Sequence, residues 1–496
     1  MYDWLRHRAS VSADATALVA ADSEATWTYR ELDDAVSRTA AHLVGAGVGR
    51  GDHVGTLLDT SVEFVKLIHA TARLGAVLVP LNTRLTSAEL RPQIERADLT
   101  ALVCSVATAE KAVSACESAD TTLLSVSRQD AGSVPELAAQ PLGSVTPATW
   151  DEDDPQVIMF TSGTTGEPKA VVLTHGNLAA SAEASAYRLG TLPGDRWLVC
   201  LSLYHMGGLA PILRATRYGS TVVLVSEFDP ERVGRAVEEY EPTGISLVPV
   251  MLSRLLDAGV SFNSFRFVLL GGAPASDDLI VRCEREAVPV YPTYGMTETA
   301  SQIATATPAE AFVHQGTVGK PLLFTEVTVV GVDGEPVEHG EHGELVVRGP
   351  TVMKEYYGDY QATVEAFSEY GLHTGDVGYR DEAGRLWVLN RRSDRIISGG
   401  ENVDPGEVAA VLLSHPAVAD VAVVGVPDEE WGERVGALVV PEPDATPSRD
   451  ELDAHCREFL AGFKCPRLVA FAAELPRTAS GTVAREAVRD LLQATE

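Results

Sequence analysis

Lysine is scarce in this chain. Of its 496 residues, 39 are lysine or arginine, and six of those are lysines: Lys66, Lys111, Lys169, Lys320, Lys354 and Lys464. Acidic residues number 70, which leaves a formal net charge of -31 at pH 7. Such a chain repels nucleic-acid phosphates and anionic membrane surfaces, so neither is expected as a partner. An acidic, lysine-poor surface is expected of a protein that works in high salt, where counter-ions screen self-repulsion; a merely acidic enzyme of ordinary salt is the alternative. Long apolar runs are also missing. None approaches the ~20 residues of a membrane-spanning helix, and no apolar stretch follows the start as it would in a secretory signal. The six cysteines, Cys104, Cys116, Cys200, Cys283, Cys456 and Cys465, form no CxxC pair. That excludes a disulfide or zinc framework and suits free thiols in a reducing, cytoplasmic compartment.

What remains is an ordinary globular composition, 45% hydrophobic and 22% charged, which can bury a large core. The length suggests two or three domains. From Thr26 a helix is expected to open at Tyr29 and run through Leu43, followed by a strand over 54–58, a helix around Glu63–Leu74 and a strand over 76–80. Strands and helices alternate in this way to about residue 320, the pattern of parallel sheets covered by helices. From 321 to 390 short strands with Gly-rich turns predict a small β subdomain. Alternation resumes near Ser393, with a clear strand over 421–426. The polar stretch Gln129–Asp154 reads as surface loop.

The strongest local signal is the loop Thr161-Ser162-Gly163-Thr164-Thr165-Gly166-Glu167-Pro168-Lys169, entered from the apolar strand Val157–Phe160. Hydroxyls, glycines and one lysine suit a polyphosphate, wrapped by backbone N–H groups and neutralised by the ammonium. The lysine is misplaced for a Walker loop.

This loop resembles the phosphate-binding signature of the adenylate-forming superfamily of acyl-CoA synthetases, luciferases and adenylation domains. Further motifs follow in the family's order from about Thr26 to Arg485. One small departure is Ala170, where the family usually has glycine. The resemblance implies an α/β fold: a large N-terminal AMP-binding and acyl-substrate domain over 1–392, with parallel-rich sheets and a small β subdomain, and a small mobile α+β domain over 393–496. It implies ATP, Mg²⁺ and coenzyme A as co-substrates, with a small carboxylic acid activated as its acyl-AMP and passed to the CoA thiol.

Residue by residue, the resemblance implies that Thr161 to Gly166 and Lys169 hold the phosphates. Gly271, Gly272 and Ala273 would lie beside adenine, with small residues allowing close approach. Tyr294 and Gly295 belong to the nucleotide site, Thr297 would contact the α-phosphate and Glu298 would bind Mg²⁺. Asp376 and Arg391 would hold the ribose. Ser393 and Asp394 would form the interdomain hinge, and Ser398, Gly399 and Gly400 the loop that lines the pantetheine tunnel. His205 would gate the acyl site. Arg214, on an otherwise apolar helix, is costly to bury without an anion, and a second substrate carboxylate would suit it; an arginine reaching to the surface is the alternative. The stretches around His205, Met251 and Glu298 resemble a branch that activates an aromatic dicarboxylic acid, for which Gly271 and Gly272 leave room. A general fatty-acyl or aryl-CoA ligase is the other enzymatic reading.

The last motif departs from the family. Its usual catalytic lysine, which bridges carboxylate and α-phosphate, is Thr482 here. Three readings stand open: Lys464 or Arg485 supplies the charge, adenylation proceeds more slowly, or the chain is an adenylation-impaired relic. A lost charged contact to a transition state costs ~10²–10³-fold in rate. Thr482→Lys is therefore expected to speed pyrophosphate release from ATP and acid, and to leave CoA-dependent discharge of preformed acyl-AMP unchanged. Slower adenylation in the variant would contradict the residue match.

Overall fold

A computed structural model describes residues 3–127, 134–161, 168–391, 396–443, 445–476 and 483–495 of the chain. It divides into two compact units. The first takes in Met1–Thr83, Gln93–Phe160 and Ala170–Asn390; the second takes in Arg84–Pro92, Thr161–Lys169 and Arg391–Glu496.

Local chemistry starts the elements of the first unit. The Thr28 hydroxyl caps helix Tyr29–Gly45 and the Glu31 carboxylate returns to the Thr28 N–H, a reciprocal cap. Leu32, Val36, Ala40 and Leu43 then recur on its buried face. Helix Val62–Leu74 starts on Ser61 and stops at Gly75, which takes a left-handed φ of 72°.

Strands His53–Leu57, Val77–Pro80, Leu99–Cys104 and Thr122–Ser125 pair in parallel. They belong to a 7-stranded sheet that continues through Pro155–Thr161 and Lys169–Thr174 to the two-residue strand Glu355–Tyr356. A 14-stranded sheet begins in the same style, with parallel pairings linking Thr16–Ala20, Thr221–Leu224, Arg196–Val199, Gly244–Leu247, Phe267–Leu270 and Val290–Met296. One apolar core draws on both sheets: Leu18, Val222 and Phe267 from one, Val54, Val103 and Val157 from the other, with Leu43, Phe64 and Leu209 from helices between.

Past Val290–Met296 the pairing turns antiparallel, with Ser301–Thr305 doubling back on that strand, while helix Pro308–Val313 and strand Thr317–Pro321 carry the alternation to about residue 320 as expected. Ala300 and Ser301 make that reversal with φ of 51° and 105°, conformations that L-residues seldom adopt. The stretch over 134–154 is mostly exposed or half-buried, in keeping with its reading as surface loop, but it has buried anchors. Apart from the short turn Leu137–Ala139 it is irregular, yet Val134, Leu137 and Trp150 are buried. The Trp150 indole donates to the Ala72 carbonyl at 3.0 Å and stacks on His175 at 5.3 Å. Irregular backbone does not imply exposure when apolar side chains anchor it.

In the second unit, strands Val418–Asp428 and Gly432–Pro441 pair antiparallel along their length, and Leu468–Phe471 joins in parallel. Val424, Leu438, Val488 and Leu492 lie in its core. Lys464 is not the spare cation considered above. It is 8% exposed, and its Nζ lies 2.7 Å from Glu89 and 2.7 Å from Glu407. Releasing it would strand one nearly buried and one half-buried carboxylate.

All six cysteines are buried, and no described helix is long and apolar enough to cross a membrane.

Two histidines are buried and held neutral. Burial holds the His69 pKa down to about 4, with Asp3 opposing and Arg73 reinforcing. His175, between Trp4 and Trp150, is likewise held at about 4, by burial first and by nearby positive charge including Arg217. Each binds its proton in the unfolded chain before the native one, so its stabilising effect is full above pH ~6.5 and declines as pH falls toward 4. His175→Asn is expected to flatten the fall of melting temperature between pH 6.5 and pH 4.5 relative to the parent chain. Parallel melting curves would contradict this placement.

Candidate active site

The reversal at residues 294–301 organises the site of the first unit. Gly295 sits at a register shift in the antiparallel pair. A Cβ there would stand 1.6 Å from the Ser301 carbonyl oxygen, so the position admits only glycine. The crowded corner fixes the residues on either side. Tyr294, 8% exposed, donates its hydroxyl to Asp376 Oδ2 at 2.7 Å. Asp376 is itself buried, its N–H taken by the Thr374 hydroxyl at 3.1 Å, while the Gly375 N–H donates to Glu344 at 2.9 Å. Tyr294 and Asp376, 82 residues apart in sequence, are thus one hydrogen-bonded pair.

Beyond Gly295 the turn Thr297–Thr299 carries Thr297, half-buried, and Glu298, 5% exposed. Among the described residues the Glu298 side chain has one hydrogen-bond partner, the Tyr356 hydroxyl at 3.2 Å. A nearly buried carboxylate with one neutral donor is under-compensated, and a divalent cation suits it. Its backbone is held separately: the Glu298 carbonyl accepts from the Met353 N–H at 2.7 Å.

His205 precedes helix Met206–Tyr218 and is exposed, its ring edge-on to Tyr204 at 4.8 Å. The helix buries Arg214, which is 2% exposed, so the alternative of an arginine reaching to solvent is excluded. Arg214 Nη2 donates to the Ser181 hydroxyl at 3.1 Å and its guanidinium lies 6.0 Å from the Trp197 ring centre. Its Nε is buried with no partner, and no carboxylate pairs with it among the described residues. Burial lowers the pKa of the guanidinium, with the Tyr218 hydroxyl the one opposing group. Ser181 in turn donates to the Ala300 carbonyl at 2.6 Å, which ties Arg214 to the corner that carries Glu298. Sequence reasoning missed Ser181 and Tyr356, since neither stands out from its neighbours along the chain.

A Cβ added at Gly271 would stand 2.6 Å from Thr293 Cγ2 and 3.0 Å from its carbonyl oxygen, so strand packing requires glycine there. Gly272 takes a φ of 80°, and Ala273 follows it on the turn after strand Phe267–Leu270.

In the second unit, Thr161 closes strand Pro155–Thr161 and Lys169 opens strand Lys169–Thr174, so the polar loop joins two sheet strands. Ser398 is buried and pairs with Glu401 across a two-residue turn in which Gly399 and Gly400 have φ of 58° and 84°. Ser162, Gly163, Thr164, Thr165, Gly166, Ser393, Asp394 and Thr482 lie outside the described residues, as does the side chain of Arg391.

Residues 5–357 match the AMP-binding enzyme family and residues 407–482 match the AMP-binding enzyme C-terminal domain. The chain is 39% identical to a 2-succinylbenzoate–CoA ligase of Bacillus mycoides (strain KBAB4), over 99% of both chains. It is also similar to o-succinylbenzoate CoA synthetase from Bacillus subtilis. A double mutant of that enzyme bound with its product analogue OSB-NCoA gives a TM-score of 0.91 at 38% identity, over 99% of this chain and 98% of that one. The complex of the same enzyme with ATP and magnesium ion gives 0.75 at 37%, over 99% of each chain. A large α/β unit built on two sheets, with a small α+β unit beside it in sequence, is the fold of adenylate-forming enzymes. The chain belongs to the AMP-binding enzyme family.

The corner at Gly295 makes a direct prediction. Gly295→Ala is expected to destabilise the chain by more than about 3 kcal/mol, because backbone rather than a flexible side chain occupies the space. A thermal melt within about 2 °C of the parent would contradict the crowding.

Proposed function

We propose that this chain is an AMP-forming 2-succinylbenzoate–CoA ligase of menaquinone biosynthesis. Full-length similarity to ligases of that name supports the reading, and the observation that carries the substrate is the buried, unmatched Arg214. An aromatic dicarboxylic acid brings two carboxylates. One attacks the α-phosphorus of ATP; a C(O)O–P bond forms, the bond from the α-phosphorus to the bridging oxygen breaks, and pyrophosphate leaves. The other pairs with Arg214 and supplies the negative charge that the protein interior lacks there. The CoA thiol, giving up its proton, then attacks the acyl carbon and AMP departs.

Lys169 and the loop Thr161–Gly166 neutralise the phosphates, Thr297 bonds the α-phosphate, Asp376 and Arg391 take the ribose hydroxyls, and Tyr294 holds Asp376 in place. The turn at Gly272 and Ala273 lies along adenine, His205 gates the acyl site, Ser393 and Asp394 form the hinge between the domains 1–392 and 393–496, and the turn at Ser398–Gly400 lines the pantetheine path. Mg²⁺, when bound at Glu298, offsets charge on the leaving pyrophosphate. With Thr482 neutral, Lys464 and Arg485 are the cations weighed for the family lysine's charge, and Lys464 is engaged by Glu89 and Glu407. The acidic, lysine-poor composition supports work in high salt, and the buried free cysteines support a reducing, cytoplasmic setting.

A panel of acids with ATP, Mg²⁺ and CoA tests the reading: 2-succinylbenzoate is expected to give AMP, pyrophosphate and a thioester, at kcat/KM well above fatty or simple aryl acids. Preference for a fatty acid would favour a general ligase, and absence of pyrophosphate release with every acid would favour the relic. Arg214→Ala should cost kcat/KM for 2-succinylbenzoate on the order of 2–5 kcal/mol, about 30-fold or more, and much less for an analogue lacking the second carboxylate. Equal losses on both acids would remove Arg214 from the pocket.

A further inference from the structure

We propose that Tyr356 is a positioning residue for the metal-binding carboxylate: its hydroxyl fixes Glu298 Oε1 and thereby orients the carboxylate for the ion. The inference rests on the reading of Glu298 as the Mg²⁺ ligand. Tyr356 is 6% exposed and its hydroxyl is the one described donor to the Glu298 side chain, at 3.2 Å. A carboxylate with a single tether otherwise rotates about its last torsion. A neutral donor to one oxygen limits that rotation without competing for the cation's charge, which is how outer-shell groups orient metal ligands.

The backbone around Tyr356 is held without help from the hydroxyl. Strand Glu355–Tyr356 pairs antiparallel with Val171 and Val172, and the Tyr357 N–H donates to the Ala170 carbonyl at 2.7 Å. The amide of Asn177, at the start of helix His175–Leu189, donates to the carbonyls of Pro350 and Val352 at 2.8 and 2.9 Å. The two-residue strand therefore links the metal carboxylate to the strand that begins at Lys169, and the hydroxyl is the only atom of Tyr356 that needs to change to break the link.

The test is Mn²⁺ binding, followed by electron paramagnetic resonance, to full-length protein saturated with a non-hydrolysable ATP analogue. Four proteins are compared: parent, Tyr356→Phe, Glu298→Gln and the double variant, with melting temperature as a check on folding. Tyr356→Phe is expected to weaken Mn²⁺ about tenfold while leaving affinity for the metal-free nucleotide analogue and the melting temperature near those of the parent. In the Glu298→Gln background it should add little, because it acts through that carboxylate. Unchanged Mn²⁺ affinity in Tyr356→Phe, with Glu298→Gln weakened, overturns the role of Tyr356 and leaves Glu298 standing. Full additivity in the double variant, or loss of metal-free nucleotide affinity as well, identifies a packing role and also overturns it. Unchanged affinity in Glu298→Gln removes the reading of Glu298 and this inference together.

Discussion

The close approach of Gly295 to the Ser301 carbonyl is the constraint on which the rest of the site depends. It lets a parallel sheet reverse within a few residues, and the reversal forces Ala300 and Ser301 into positive φ. Strained backbone persists where surrounding contacts over-determine it, and here they do. Ser181 holds the Ala300 carbonyl, the Met353 N–H holds the Glu298 carbonyl, and Tyr294 before the corner is tied to Asp376. One corner therefore sets Asp376, the turn with Thr297 and the Glu298 carboxylate together.

Two buried arginines show how the same chemistry serves different ends. Arg73 is 2% exposed and is met by Asp3 at 2.7 Å, by Asp33 and by the Ser37 hydroxyl, so its charge is matched inside the fold. Arg214 is equally buried and has a serine hydroxyl and an aromatic ring. Neither carries negative charge, so desolvation of the guanidinium remains largely uncompensated within the fold.

Much of this was legible in the sequence because it is local. The helix from Tyr29 and the turn at residues 271–272 declare themselves within a few residues. The alternation of strands and helices announced parallel sheets, and the structure has them. Features that depend on distant partners were not legible. The burial of Trp150 within a polar loop depends on its anchor, Ala72, far along the chain. The reversal of the sheet at 301 rests on a pair of backbone torsions, which composition does not reveal. Lys464 looked like a spare charge until Glu89 and Glu407 were found on it. That Gly271 is also required by the close approach of Thr293 was equally hidden.

The central claim is that a carboxylate oxygen of the acid attacks the α-phosphorus of ATP. It is tested most directly by following that oxygen. With 2-succinylbenzoate labelled with ¹⁸O in the activated carboxylate, the account predicts one labelled oxygen in the AMP released after CoA addition and none in pyrophosphate. Label in inorganic phosphate, with ADP as the nucleotide product, would mean attack at the γ-phosphorus and would contradict it.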